Sequence, residues 1–411
     1  MRVNRSDAAA LDDVDPMAFV RERFVIPEGL IYLDGNSLGM LPKGVAERVE
    51  DLIRRQWGND LIRSWNTHGW MEAPRRVGDR IAPLIGANAG EVIVADSTSV
   101  NIYKLLMAAC RMRPGRSVIV TEEGNFPSDR YLIASVAEEL GLTVRVAKTG
   151  HIIDALHDLD DRVAVASFSH ADYRTGTLHD IKEVTSACHA VGALTLWDLA
   201  HTAGVLDLSL TDANVDFAVG CGYKFLNGGP GAPSFLYVAE RHQATFEQPL
   251  TGWLGHAKPF AMSEVYEPAA GIGRAIVGTP SMLSLVALEA ALDVFDGVSM
   301  AAVRAKSIAL TDFMIGCAAD QNLGLSVATP LVARERSSHV SFRHLNGFEI
   351  VQALFARGVV GDFREPDIMR FGLSPLYTRF VDVWDAVSHL GDVLRTESWR
   401  DPAYSIRGTV T

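Results

Sequence analysis

Between residues 90 and 240 the chain repeats one pattern: a short run rich in β-branched residues, then a longer helix-period stretch. The runs are Glu91–Ala95, Ser117–Thr121, Leu142–Val146, Val163–Ser167, Ala193–Trp197, Val215–Val219 and Ser234–Val238. Strands apolar on both faces must be covered on both faces, and strands separated by helices pair in parallel. This fixes an α/β class with a mostly parallel sheet. Ser128–Leu140 and Asp180–Val191 have the spacing of crossover helices. Met282–Phe295 is apolar at helical period and is expected to lead out of this domain.

After about residue 300 the pattern changes. A helix over Met300–Cys317 precedes short strands near Leu325, Val340, Val359 and Met369, interleaved with helices near Phe348–Ala356 and Val383–Leu394. That is a smaller α+β domain. At 411 residues the chain is too long for one simple core. The expected division is an N-terminal arm and part of the small domain over 1–80, a large domain over 81–298, and a C-terminal small domain over 299–411. The arm should carry one short helix near Met17–Phe24.

Composition excludes several functions. The net charge is −12, from 38 basic and 50 acidic residues, with no basic run interleaved with aromatics. Nucleic acid and anionic membrane are therefore not expected partners. The four cysteines, Cys110, Cys188, Cys221 and Cys317, form no CxxC pair, and no histidines have zinc-ligand spacing. No metal site is expected, and the cysteines fit a reducing compartment. The most apolar helical stretch, Met282–Val298, is broken by Glu289, Asp293 and Asp296, well short of the ~18 uncharged residues a membrane span needs. The N-terminal residues lack a signal-type apolar core. A soluble cytoplasmic protein acting on a small molecule is the expectation.

The candidate chemistry lies where predicted strands end. Ser97, Thr98 and Ser99 stand between a strand and the helix that begins at Val100. Free N–H groups, hydroxyls and the helix dipole make an anion site there, although a plain N-cap reads the same way. Asp198 closes a buried strand at the carboxyl edge of the sheet, where ligands of such sheets bind. A carboxylate there can keep a pyridine nitrogen protonated, or simply cap the next segment. His201 follows three residues later, as a supporting or merely structural group. Lys224 lies in Gly220-Cys-Gly-Tyr-Lys-Phe-Leu-Asn-Gly-Gly-Pro-Gly231, between a buried strand and a glycine-rich turn. Glycines let backbone approach a ligand closely, and a desolvated lysine amine can form a Schiff base. Together, Asp198 and Lys224 point to pyridoxal phosphate (PLP). Phe126 and Asp129, in Glu123-Gly-Asn-Phe-Pro-Ser-Asp129, can stack on a flat ring and contact its polar edge, or form an ordinary turn. Arg370, inside the apolar run Ile368–Leu373, needs an anion: a substrate carboxylate or a buried protein partner. Asn36, in the glycine-bracketed turn Asp34–Gly39, can donate to the same carboxylate.

Seven segments, spread in order over the chain, resemble kynureninases. They are Tyr32–Gly39, Asp96–Asn101, Trp197–His201, Gly220–Gly231, Gly252-Trp-Leu-Gly-His256, Gly278-Thr-Pro280 and Arg370-Phe-Gly-Leu-Ser-Pro375. The resemblance implies an aspartate-aminotransferase-like, fold-type-I PLP enzyme, homodimeric, with its active site at the subunit interface. It implies hydrolysis of L-kynurenine, or 3-hydroxykynurenine, to L-alanine and anthranilate or its hydroxy analogue, in tryptophan catabolism. By motif position, Lys224 would hold PLP and Asp198 would pair with the ring nitrogen. Thr98, Ser97 and Tyr223 would bind phosphate, and Trp253 and Thr279 would reach it from the neighbouring subunit. Phe126 would stack on the ring, with Asp129 and His201 close by. Arg370 would hold the substrate carboxylate, with Asn36. Tyr223 would also exchange a proton near the γ-carbon.

Departures from the family pattern are small: Ala200 replaces a frequent Ser, and Ala171 and Leu178 vary the segment around His170–Gly176. Gly278-Thr279 and Trp65-Asn66 resemble the bacterial type, which implies kynurenine as substrate with Trp65 near it. Two rival readings remain. A cysteine desulfurase or aminotransferase shares this fold, but a desulfurase needs a mobile reactive cysteine, and Cys221 and Cys317 lie in apolar segments. A non-catalytic PLP-fold protein would not need Lys224, Asp198 and Arg370.

Overall fold

The computed structural model describes residues 4–408. All seven predicted runs are strands of one sheet, but Thr143–Ala147 is an edge strand with only Ala147 buried, not the buried strand expected. In chain order they are β1 (Val92–Val94), β2 (Val118–Glu122), β3 (Thr143–Ala147), β4 (Val163–Ser169), β5 (Leu194–Asp198), β6 (Phe217–Cys221) and β7 (Ser234–Val238). Their order across the sheet is β1-β7-β6-β5-β4-β2-β3. The pairs from β6 to β3 are parallel; β7 is antiparallel to both β6 and β1. The helices Pro127–Leu140 and Ile181–Ala190 occupy the predicted crossovers. Parallel β4 and β5 place Ser169 beside Asp198 in register, so both strands end at one edge.

The small domain has a four-stranded sheet, β8 (Ser326–Val327), β9 (His339–Arg343), β10 (Asp362–Arg364) and β11 (Ile368–Gly372), in the order β10-β11-β9-β8. All its pairs are antiparallel. Alternation gives this sheet two unlike faces. Val340, Phe342, Met369 and Phe371 join the apolar core with the helices Gly347–Phe355 and Phe380–Arg395. His339, Ser341, Asp362, Arg370 and Gly372 occupy the other face, which is turned toward the large domain.

Residues before 80 divide between the two cores. Ala8, on a helix Arg5–Asp13 that the sequence reading did not include, and Leu33 belong to the small-domain core, whereas Phe24, Met40 and Val77 belong to the large one. The helix expected near Met17–Phe24 shortens to Ala18–Arg21. The helix Met300–Asp320 crosses between the cores: Val303 packs in the large core, Leu310 and Met314 in the small one. The segment Asp34–Gly39 also bridges them. Leu33 accepts from the Gly372 N–H at 2.6 Å, and the Gly39 N–H donates to Tyr223 O at 2.8 Å.

Candidate active site

The carboxyl edge of the large sheet opens into a cleft lined by Thr98, Ser99, Phe126, Ser128, Asp129, Ser169, Tyr173, Asp198, His201, Tyr223 and Lys224. Each arrives by a separate local rule. Ser97 caps the helix Thr98–Arg111, accepting the Val100 N–H at 3.3 Å. The first-turn N–H groups of that helix lack intrahelical partners, so Thr98 and Ser99 present hydroxyls and positive dipole to the cleft. Ser97 is the cap itself and does not line the cleft.

Phe126 precedes the helix Pro127–Leu140 and meets Tyr173 edge to face at 5.1 Å. Its loop is fixed by buried Asn125, whose Oδ1 accepts from the N–H groups of Phe126 at 2.9 Å and Ser169 at 3.0 Å and from the Ser169 hydroxyl at 2.7 Å. Asp129 lies in the first turn of that helix, 3% exposed. Burial first, then the Asp198 carboxylate, push its carboxyl well above the usual range. Asp198 ends β5 and accepts the Ala200 N–H at 2.8 Å. Burial raises its carboxyl too, while Lys224 and the Ala200 N–H oppose the shift.

Lys224 follows β6 by three residues. Its Nζ lies 5.9 Å from the centre of the Tyr223 ring and has no hydrogen bond or ion pair among the described residues. The loop after it is folded tightly: a Cβ on Gly228 would stand 2.8 Å from Gly222 O, and one on Gly39 2.3 Å from Lys224 O. Cys221, burial and Asp198 all keep the Tyr223 phenol protonated. His201 is buried with its Nδ1 unpaired, and burial followed by the charges of Lys224 and Arg370 hold it neutral.

A free amine, a buried carboxylate behind it, an aromatic face and a helix N-terminus bearing hydroxyls form one set. They fit PLP: the helix end suits a phosphate, Asp198 a protonated ring nitrogen, and Phe126 a flat ring. The unpaired Nδ1 of His201 fits the same conclusion, since buried polar atoms normally have partners.

Besides Ser97, five predicted residues do not line the cleft, Asn36 among them. Arg370, 1% exposed, does not itself line the cleft. Its Nε donates to Asp362 at 2.8 Å, a second nitrogen also pairs with Asp362 and reaches the Ser37 hydroxyl at 3.2 Å, and the third meets Tyr173 O. Of the two partners expected for Arg370, the protein carboxylate is the one present. Trp65 packs edge to face on Trp70 at 5.6 Å, outside the cleft. Trp253 is 45% exposed, on a short turn against Phe260. Thr279 lines a separate pocket with Asp96, Gly278 and Pro280. Asn36, by contrast, is fully buried with both amide atoms unpaired, and it sits where a Gly372 side chain would be.

Ser128, Ser169, Tyr173, Ser37, Asp362 and His339 are not among the residues expected from sequence. Tyr173 and Ser169 sit at a strand end and its loop, the position that singled out Asp198, and that rule could have found them. Asp362 becomes visible only through cross-strand pairing.

Comparison with known proteins decides the family. The chain is 50% identical to the kynureninase of Burkholderia pseudomallei (strain 1106a), over 99% of both chains. It is 46% identical to that of Pseudomonas fluorescens, again over 99% of both. Residues 303–390 match the kynureninase C-terminal domain. This chain belongs to the kynureninase family. The kynureninase reaction, PLP-dependent hydrolysis of kynurenine in tryptophan catabolism, is therefore its activity. Solved structures with the same fold include a cysteine desulfurase from Thermococcus onnurineus NA1 (TM-score 0.77, 18% identity, 92% of this chain and 98% of that one). Another is a C-DES variant with glycine covalently linked to its PLP cofactor (TM-score 0.79, 18% identity, 90% and 99%). The expected fold class is thus borne out.

Proposed function

We propose that the residues of this cleft divide the kynureninase reaction as follows, with L-kynurenine preferred over its 3-hydroxy form. Lys224 would hold PLP, and its amine would take the Cα proton as general base. Asp198 keeps the ring nitrogen charged. PLP itself supplies the electron sink that makes the Cα proton removable. Thr98, on the helix that Ser97 caps, and Tyr223 would hold the phosphate, Phe126 would cover the ring, and Asp129 and His201 would orient its edge. Arg370 and Asn36 hold the substrate carboxylate. Water adds to the γ-carbonyl, the Cβ–Cγ bond breaks to release anthranilate, and Cβ is protonated to give alanine. The Tyr223 phenol, kept protonated at neutral pH, is the proposed proton donor for that step. The observation that carries this assignment is the unpaired Lys224 amine sharing one cleft with Asp198 and Asp129.

We further propose a homodimer in which Trp253 and Thr279 serve the partner's phosphate site and Trp65 lies near substrate. Support comes from their position outside the cleft of one chain and from exposed Trp57, Ile62, Phe260, Met262 and Val265, apolar surface that a partner would cover. A cytoplasmic location accords with four unpaired cysteines. No described helix is long and apolar enough to cross a membrane.

The desulfurase reading is disfavoured by the thiols. All four are buried, and burial raises Cys110 to about 12 and Cys317 to about 11, the opposite of a reactive nucleophile.

The test is anthranilate fluorescence from L-kynurenine with added PLP, run beside 3-hydroxykynurenine. Anthranilate forming in step with alanine, faster than the hydroxy product, supports both the roles and the preference. Equal rates would remove the preference. Amino transfer without anthranilate would overturn the assignment.

A further inference from the structure

His339 is buried with both ring nitrogens unpaired, at the interface of the two domains. It begins β9 directly opposite Gly372 of β11, so the two point to the same face of the small sheet. Arg370 lies two residues before Gly372 on that face, about 7–8 Å diagonally from His339. Between them stands Asn36: a Cβ on Gly372 would meet its Oδ1 at 1.7 Å, so the amide occupies the vacant side-chain position. The His339 ring also meets His201 edge to face at 5.8 Å.

Four unpaired buried atoms, two from Asn36 and two from His339, therefore stand beside Arg370 on one face. Ser341, next along the same face, has its partner in Arg174 O at 2.5 Å. Along this face of the sheet, the side chains without partners are therefore the ones beside Arg370. Native proteins rarely bury polar atoms this way unless a ligand or ordered water completes them. Asn36 Nδ2 and one His339 nitrogen can donate beside the Arg370 guanidinium, which suits an anion, while Asn36 Oδ1 and the other His339 nitrogen are acceptors. Burial, with Arg370 close by, pushes the His339 imidazole down to about 3, so it stays neutral and offers one N–H.

We propose that His339 is a third ligand of the substrate α-carboxylate, beside Arg370 and Asn36. This rests on the reading of those two residues as the carboxylate site.

The test titrates PLP-loaded enzyme with L-alanine, which keeps the carboxylate and lacks the aryl ketone, following the cofactor absorbance. KM for kynurenine and melting of the cofactor-free protein are measured in parallel. His339→Leu should weaken alanine binding and raise kynurenine KM by similar factors of about tenfold, since a hydrogen bond to a charged group is lost. Cofactor absorbance and the melting temperature of the cofactor-free protein should not fall, because two unpaired nitrogens have left the interior. His339→Gln, which keeps an N–H, should retain most of the affinity. Unchanged alanine binding in His339→Leu, or a kynurenine effect without an alanine effect, would overturn the proposal. So would a lowered melting temperature with binding intact. Asn36→Ala separates the two levels. If it weakens alanine binding while His339→Leu does not, only the role of His339 fails. If neither does, the carboxylate site lies elsewhere and the underlying reading fails too.

Discussion

Arg370 and Asp362 form a two-point ion pair in which both side chains are 1% exposed. They are direct partners across β10 and β11, and Asp362 also accepts from Ser37 at 2.9 Å and pairs with Arg364 at 2.8 Å. The pair fixes the guanidinium plane before any substrate arrives. Breaking a buried pair by removing one partner costs roughly 3–5 kcal/mol, whereas removing both costs far less. Asp362→Asn should therefore lower stability by an amount of that order and raise kynurenine KM. The double variant Asp362→Asn/Arg370→Met should recover most of the stability and none of the substrate affinity. Denaturant melts and initial rates check this. Recovery of both properties would remove Arg370 from the substrate site.

Lys224→Ala should lower turnover at least ~10²–10⁴-fold, the usual worth of a placed general base. It should also abolish the absorbance of lysine-bound PLP while leaving the fold intact, because Nζ has no structural partner. Asp198→Asn should bind PLP but lose ~10²–10³ in kcat, the scale of one removed electrostatic contact. Rapid-scan absorbance and single-turnover rates separate the two. Full activity in Lys224→Ala would sink the assignment.

The sequence made the large domain legible because buried parallel strands are apolar on both faces and cannot be mistaken for solvated segments. Lys224 and Asp198 stood out as polar residues at the ends of such runs. The small sheet hid its polar face. His339-Val-Ser-Phe-Arg343 alternates like any strand with one wet side, and only the packed structure shows that the polar side meets the large domain. Asp362 gave no signal, since its meaning depends on the residue opposite. Ser97 and Thr98 read alike as cap residues, and geometry separated them: Ser97 is the cap, and Thr98 faces the cleft. Trp253 meets only Pro259 O and Phe260, and Thr279 lines a separate pocket, so among the described residues neither contact reveals a role.

Gly372 offers a test of Asn36 without touching it. The glycine backbone is not in the left-handed region, so alanine is conformationally allowed, but its Cβ would overlap the Asn36 amide. Gly372→Ala should displace Asn36 at a cost of roughly 1–3 kcal/mol. Kynurenine KM should rise more than kcat falls. Cofactor absorbance should stay unchanged, because Lys224 and Asp198 lie on the other domain. Steady-state rates across substrate concentration measure the split, and a loss confined to kcat would place Asn36 outside the binding site.

Asp34 gives the fold a pH signature. Burial, and then the Asp362 carboxylate, raise its carboxyl to about 7, with Ser37, Arg370 and Arg364 opposing the shift. Its unfolded value is near ~3.9. The folded state therefore binds this proton more tightly than the unfolded chain does, and linkage sets the sign. The stability contributed by Asp34 is full below pH ~4 and is lost as pH rises through about 7. Neutral buried histidines have the opposite slope. His170 and His339 are both lowered to about 3 by burial, so their contribution falls as pH drops below ~6.5. Comparing Asp34→Asn with the parent cancels the histidines and isolates the carboxyl. The variant should match the parent near pH 4 and become progressively more stable between pH 5 and 8. Thermal melts of the cofactor-free protein across that range would show a widening gap, and a gap that stayed constant would mean that Asp34 titrates normally in the folded protein.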